Sequence, residues 1–269
     1  MTLGMITLEG REDESPEAEQ KRRQRAMVTE AEVLLHHVAE TLLTLYLAHE
    51  DRPDCPWLEV ARMRQGDLKP QLRKRFGGSY SQKLRREQLA EVFFGSRTPV
   101  GLDPRPELEQ WEKAVANLDQ LLMAYLDIHN ERRNLYNAAK HGMAVNSGTA
   151  AVKLGEAGAP PLIEKSGPSI TYLDLTDSKS QPRWQQTTVW IELDQTIALS
   201  YLACSLIQSM WMVARARYLG VPCVFRAVAV IAAIDIDKLV LPRSKADNPY
   251  NMLNMRIPLA YIQNNRGRT

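Results

Sequence analysis

Apolar residues recur at steps of three and four along most of this chain, and that spacing constrains its fold more than any other feature. Three long segments carry the pattern, at residues 17–50, 105–141 and 194–219. Each of them has one apolar face, as expected of helices that pack against one another. We therefore expect a mainly α-helical protein whose core is a helical bundle.

A segment of different character follows the central helical pattern. Glycines and prolines between residues 143 and 193 supply turn chemistry. Between them lie three short runs rich in strand-forming residues, Ala150–Leu154, Ser169–Leu175 and Gln186–Leu193. The pattern predicts a small antiparallel β insertion after the central helix, and Asp194 begins the helix that returns to the bundle.

These patterns predict how the chain is organised. Residues 1–14 are charged and lack periodicity, which is typical of a flexible N-terminus. Residues 15–219 form a helical bundle domain with the β insertion at about 143–193. Residues 220–269 form a C-terminal extension that packs on the bundle. The chain of 269 residues, 44% of them hydrophobic, is long enough to bury a sizeable core.

Cysteine usage and the N-terminus bear on the cellular compartment. The three cysteines are widely spaced and form no Cys-x-x-Cys pair, which favours a reducing cytoplasm. The first residues hold acidic side chains and no apolar signal core, so we expect a cytoplasmic protein. Residues 196–214 are apolar, but serine and glutamine interrupt them, which indicates a buried helix and no membrane association.

The most polar part of the central helix is its end, residues 128–142. This stretch holds two histidines, two arginines, one lysine and three asparagines. At 100° per residue, one face of the helix collects three amides and an imidazole, with Arg133 beside them. Such a face suits a phosphate or an RNA strand, and its candidate binding residues are Asn130, Asn134, Asn137, Lys140 and His141.

A second candidate surface is basic. Residues 60–86 carry nine lysines and arginines against Asp67 alone, although the net charge of the whole chain is only +2. A local excess of this size attracts polyanions. The alternative is a set of short helices with solvated basic faces. The candidate binding residues here are Arg73, Arg75, Arg85 and Arg86.

Several of these residues also have simple structural explanations. Lys140, His141 and Gly142 are what the last turn of a helix favours, because cations oppose its negative end and glycine ends it. His129 and Arg132 lie near the apolar stripe, where a partly buried polar pair would pack. His36 and His37 point about 100° apart on a helix and are poor joint ligands. We expect no metal and no cofactor.

A helical bundle with arginine, asparagine and then histidine on a late helix resembles the HEPN superfamily of α-helical, nucleic-acid-associated proteins. The matching positions are Arg133, Asn134 and His141, with seven residues between the arginine and the histidine, one more than the family pattern. The resemblance covers about residues 28–142 and the helix at 194–219. It implies a homodimeric, metal-independent ribonuclease of a bacterial defence or toxin–antitoxin system, with these three residues catalytic.

Two functions are therefore expected. The first is a HEPN-like helical protein that binds RNA or single-stranded nucleic acid and cleaves RNA without metal. His141 would transfer the proton, and Arg133 would oppose the charge of the transition state. The alternative is a non-catalytic helical protein that docks a protein or nucleic-acid partner through the same polar and basic surfaces.

Overall fold

The computed structural model describes residues 15–64, 66–77, 81–102, 105–140, 145–154, 163–176, 183–221, 227–239 and 254–258. The fold is mainly helical, with an antiparallel sheet after the central helices, which confirms the predicted fold class. In chain order the elements are α1 (Pro16–Asp51), α2 (Pro56–Arg62), α3 (Leu68–Phe76), α4 (Gln82–Phe94), α5 (Leu108–Glu131), α6 (Arg133–Lys140), β1 (Val145–Leu154), β2 (Ile163–Thr176), β3 (Arg183–Trp190), α7 (Leu193–Leu219), α8 (Ala227–Ala233), α9 (Ile236–Leu239) and β4 (Asn254–Pro258).

The chain divides into two compact units, and neither is a continuous segment. The first, the sheet unit, comprises Met1–Val33, Ala138–Leu193 and Tyr250–Thr269. The second, the bundle unit, comprises Leu34–Asn137 and Asp194–Pro249. The helices α1 and α6 contribute residues to both, and α7 contributes its first residue, Leu193, to the sheet unit.

The core of the bundle unit lies between α1, α4, α5 and α7. Its most buried side chains are apolar and come from all four helices, among them Leu42, Phe93, Leu118 and Leu206. Polar side chains also join the helices within this core. The Tyr125 hydroxyl donates to the Leu199 carbonyl at 2.7 Å, which links α5 to α7. These buried contacts stabilise the predicted helices, because each helix packs its apolar face against its neighbours.

The short helix α8 packs against α5. A buried side chain of α5 donates hydrogen bonds to carbonyls at and just after the C-terminal end of α8. The Asn117 amide donates to the carbonyls of Ile231 and Ile234, at 2.9 and 3.0 Å. Carbonyls at a helix end have no partner within the helix, so this amide replaces the missing donors.

The four strands form one antiparallel sheet in the order β1-β2-β3-β4. A cross-strand hydrogen bond joins the hydroxyls of Thr171 and Thr188 at 2.9 Å. The Trp190 indole donates to the Ala150 carbonyl at 3.1 Å. The segment 220–269 was expected to pack on the bundle as one extension. Its described parts instead have two different neighbours, since α8 lies against α5 and β4 pairs with β3.

The second strand is longer than the sequence predicted. It begins at Ile163 and runs through Gly167 and Pro168, which were interpreted as a turn. Among the residues that the structure describes, the part before Ser169 pairs with β1 alone, because the β3 pairing starts at Ser169. A strand with one free edge tolerates proline, and Gly167 adopts a φ of 148° that favours glycine.

The central helix does not continue unbroken to His141 as predicted. It ends as α5 at Glu131, and α6 begins at Arg133. Arg132 between them has φ −96° and ψ 4°, outside the helical region. Helical hydrogen bonds persist on both sides, since the Arg132 amide donates to Ile128 and the Tyr136 amide donates to Arg132. The interruption is therefore a single residue.

Candidate functional site

A small pocket lies within the bundle unit, lined by side chains of α1, α3, α5 and α6. Its volume is about 50 Å³. This is enough for a water, a hydroxyl or a phosphoryl oxygen. We call it the histidine pocket, and its lining consists of His36, Glu40, Leu68, Lys69, His129, Arg133, Tyr136 and Asn137.

Two buried histidines and a tyrosine lie together at the pocket, where His36 stacks on Tyr136 and is tilted by 34° against His129. The rings of His36 and Tyr136 have centroids 4.2 Å apart and planes 14° apart. The ring of His129 lies 5.3 Å from that of His36. Only 2% of His36 and 9% of His129 is exposed. Both imidazoles are therefore held by packing from three helices.

The hydrogen bonding of His36 determines its tautomer. Its Nε2 atom lies 3.3 Å from the backbone carbonyl of His129, which can only accept. The neutral ring must therefore carry its proton on Nε2, and Nδ1 is left as an acceptor. Among the described residues, Nδ1 of His36 and Nδ1 of His129 have no hydrogen-bond partner although both are buried. An unpaired acceptor of this kind is costly unless a ligand or water supplies a donor.

Both imidazoles are neutral at physiological pH. The pKa of His36 is lowered to about 4, mainly by burial; His129 and Arg133 act in the same direction, and Glu40 and the hydrogen bond to the His129 carbonyl oppose them. Burial also lowers the pKa of His129, where Arg133 and Lys69 act in the same direction. A neutral imidazole can accept a proton or a hydrogen bond, so the pocket holds two potential bases.

The charged side chains of the pocket leave it with a positive excess. Arg133 and Lys69 are both exposed cations, and Glu40 is the single carboxylate in the lining. A guanidinium beside a neutral hydrogen-bonding group suits an anionic ligand such as a phosphodiester, which it binds through charge-assisted hydrogen bonds.

The structure brings together two of the residues predicted on the polar face. Arg133 and Asn137 line the histidine pocket. Asn130 and Asn134 are exposed and are not part of its lining. Lys140 belongs to the sheet unit, where its side chain is exposed. His141, the predicted proton-transfer residue, lies outside the described residues.

The basic segment at residues 60–86 is partly neutralised by internal ion pairs. Arg75 donates to Glu50 at 2.8 Å and also contacts Asp51. Arg85 donates to both carboxylate oxygens of Asp119 at 2.6 and 3.0 Å. These carboxylates come from α1 and α5, so no inspection of residues 60–86 alone could find them.

The two other predicted cations of this segment face solvent to different degrees. Arg86 is half-exposed and lies 3.5 Å from the same Asp119. Arg73 is exposed, and no ion pair joins it to another residue that the structure describes. Nucleic-acid binding by this segment stays a prediction, and Arg73 is the residue on which it now depends most.

Sequence reasoning underestimated His36, counted Lys69 only as one of the cations of the basic segment, and did not consider Glu40 for a site. A signal existed for both histidines, because each falls on an apolar stripe. His36 precedes the buried Ala39 by three residues and Leu43 by seven. His129 follows the buried Tyr125 by four and Leu122 by seven. A histidine in phase with a buried stripe is itself buried, and the helix that covers it decides its chemistry.

A second feature of the bundle unit is an aromatic surface where α2 meets α7. The rings of Trp57 and Trp211 stack with centroids 4.0 Å apart, and both are partly exposed. They border a cleft of about 450 Å³ together with Met212, Arg215 and Tyr218. By length and composition α7 would be able to cross a membrane, a test that core helices also pass.

Within the described part of the chain, no group of three or more histidine, cysteine, aspartate or glutamate side chains is arranged to hold a metal ion.

No protein-family model, no curated protein and no solved structure matches this chain.

Proposed function

We propose that this protein binds RNA through the histidine pocket and the cationic surface at its rim. The observation that carries the proposal is the pair of buried neutral imidazoles beside Arg133. Arg133 and Lys69 would engage backbone phosphates, as guanidinium and ammonium groups do in most nucleic-acid complexes. Asn137 would add a neutral amide donor and acceptor to the same contact.

The imidazole acceptors supply a preference for RNA over DNA. A neutral ring with a bare Nδ1 accepts a hydrogen bond from a hydroxyl group. The ribose 2′-hydroxyl is the group that distinguishes RNA from DNA at a protein surface. With a volume of about 50 Å³, the pocket has room for a hydroxyl or a phosphoryl oxygen of the backbone. The pocket would therefore recognise the ribose–phosphate backbone of RNA and would not select for base sequence.

Metal-independent cleavage is the second candidate, and the HEPN resemblance of Arg133, Asn134 and His141 favours it. In this reaction a base removes the proton of the 2′-hydroxyl, and the oxygen then attacks phosphorus. The 5′-oxygen leaves with a proton from an acid. His141 would carry one of these transfers and Arg133 would oppose the charge on the phosphorane. A bacterial defence or toxin–antitoxin setting and a cytoplasmic location are part of this proposal.

Binding of one RNA and of a DNA of the same sequence, measured by fluorescence anisotropy at two salt concentrations, tests the first proposal. We expect tighter binding of RNA, which weakens steeply as salt rises. Arg133→Ala should weaken RNA binding at least tenfold and lower the salt slope by about 0.7, the value for one phosphate contact on a single strand.

Arg97→Ala is the matched control, because Arg97 is an exposed arginine of the bundle unit that pairs with Glu91 and lies outside the pocket. It should leave the affinity unchanged. Equal losses from Arg133→Ala and Arg97→Ala would mean that only general charge attracts RNA. The absence of RNA binding at low salt would overturn the proposal altogether.

A further inference from the structure

The outer face of α7 presents a continuous stripe of exposed residues. Their separations alternate between three and four, the spacing that keeps side chains in line along one helix face. The most exposed are aromatic, with 75% of Tyr201 and 86% of Tyr218 accessible. The stripe consists of eight exposed residues: Asp194, Ile197, Tyr201, Cys204, Gln208, Trp211, Arg215 and Tyr218.

The spacing of this stripe is symmetric about the level of Leu206. When it is reversed about the level of Leu206, Tyr201 comes opposite Trp211, and Cys204 comes opposite Gln208. At the two ends, the same reversal places Ile197 opposite Arg215 and Asp194 opposite Tyr218. Because the spacing is symmetric, a two-fold axis at this level keeps the stripes of two antiparallel copies in register, as an isologous contact between identical chains requires.

The charges on the stripe select the antiparallel orientation. Asp194 is at the N-terminal end of α7, and Arg215 is near the C-terminal end. Among the described residues neither forms an ion pair. In an antiparallel pair of helices, Asp194 of one copy lies one turn from Arg215 of the other at both ends. A parallel pair would place like charges together, and its helix dipoles would also be aligned unfavourably.

The stripe has the composition of an interface. Tyrosine, tryptophan and arginine are the residues most enriched where protein surfaces bind with high affinity. Four large apolar side chains exposed on one helix face, Ile197, Tyr201, Trp211 and Tyr218, mark a surface that binds a partner. We propose that α7 pairs antiparallel with α7 of a second copy of this chain, with Tyr201 of each copy packed on Trp211 of its partner.

Sedimentation velocity at several concentrations tests this pairing on the full chain. We expect the wild-type protein to dimerise at micromolar concentration. Tyr201→Arg should weaken dimerisation at least tenfold, because it inserts a charge at the aromatic layer on both sides of the axis. Leu108→Arg is the control, since Leu108 is similarly exposed, at 63%, and lies on α5. Circular dichroism establishes that both variants fold.

Charge exchange tests the orientation. Asp194→Lys and Arg215→Glu should each weaken the dimer, and the double variant should restore wild-type affinity, since opposite charges then meet again. Weak dimerisation of the double variant would overturn the antiparallel pairing. The proposal also fails if the wild-type protein stays monomeric at tens of micromolar, or if it sediments with phosphatidylcholine vesicles as a monomer, which would make a bilayer the occupant of this face.

Discussion

Arg85 on α4 and Asp119 on α5 form a two-pronged ion pair inside the bundle unit, with hydrogen bonds of 2.6 and 3.0 Å. Only 12% of the arginine side chain and 5% of the aspartate side chain is exposed. The pair raises the pKa of Arg85, mainly through its hydrogen bonds. An arginine that looked available to nucleic acid thus serves to neutralise a buried carboxylate.

Arg85→Ala should therefore act on stability. Removing it leaves Asp119 buried with only the more distant Arg86, and such a loss costs about 3–5 kcal/mol in the free energy of unfolding. Urea denaturation measures it. Arg73→Ala, a change at an exposed arginine of the same basic segment, should cost less than about 0.5 kcal/mol. Equal stability of the two variants would contradict the structural role of Arg85.

A second prediction about stability follows from the apolar face of α5. Leu122 is fully buried between helices of the bundle unit. Leu122→Ala should cost about 2–5 kcal/mol, because it removes buried methyl groups and leaves a cavity. The comparison is Leu108→Ala at the exposed start of α5, where a change below about 0.5 kcal/mol is expected. A small loss at Leu122 would mean that this core is loosely packed.

Stability should also depend on pH through the buried histidines. Burial lowers the pKa of His36 to about 4 and that of His49 to about 4. Between pH 6.5 and pH 4 the unfolded chain therefore binds protons that the folded chain excludes. The neutral histidines therefore make their full contribution to the free energy of unfolding above pH 6.5. As the pH falls towards 4, that free energy drops by about 1.4 kcal/mol per pH unit for each histidine.

Replacing single histidines shows which of them produces this pH dependence of the free energy of unfolding. His49→Gln should remove the contribution of one proton from the pH dependence of unfolding between pH 6.5 and 4. His37→Gln, at an exposed histidine of the same helix, is the matched substitution for comparison. A slope that survives in His49→Gln would show that His49 titrates alike in the folded and unfolded chains.

Ribonuclease activity gives the test of the HEPN resemblance. If the chain cleaves RNA, His141→Ala should lower turnover about 10²–10⁴-fold and keep RNA affinity, because a general acid or base acts in the transition state. Cleavage should persist in EDTA. If His141 only caps its helix, the variant instead loses about 0.3–1 kcal/mol of stability at low pH, where the imidazole is charged. Uncut RNA with wild-type protein would remove the catalytic proposal.

Periodicity was sufficient to predict the long helices. The predicted segments 17–50 and 194–219 match α1 and α7 to within one residue at each end. Such agreement is expected when one apolar face is buried along the whole length of a helix. The strand run at β2 was placed correctly but too short, because its Gly167 and Pro168 are turn residues by composition and an edge pairing overrides that preference.

The histidine pocket was beyond reach of the same reasoning. It depends on the contact of His36 with His129, which are 93 residues apart in the chain. The interruption at Arg132 was also hidden, since arginine is a good helix former and the backbone hydrogen bonds continue on both sides. Spacing on one helix predicts which side chains share a face, and only packing decides which of them meet another helix.

The tie between Tyr125 and Leu199 spans 74 residues of chain, and this separation sets an order of events during synthesis. At roughly 5–20 residues per second, Leu199 is synthesised about 4–15 s after Tyr125. During that interval the strands β1 to β3 emerge one after another, and the apolar face of α5 has α1 and α4 to pack against but lacks the cover that α7 provides. The nascent chain therefore passes through a stage that suits chaperone capture, and premature termination just before Asp194 would release an aggregation-prone product.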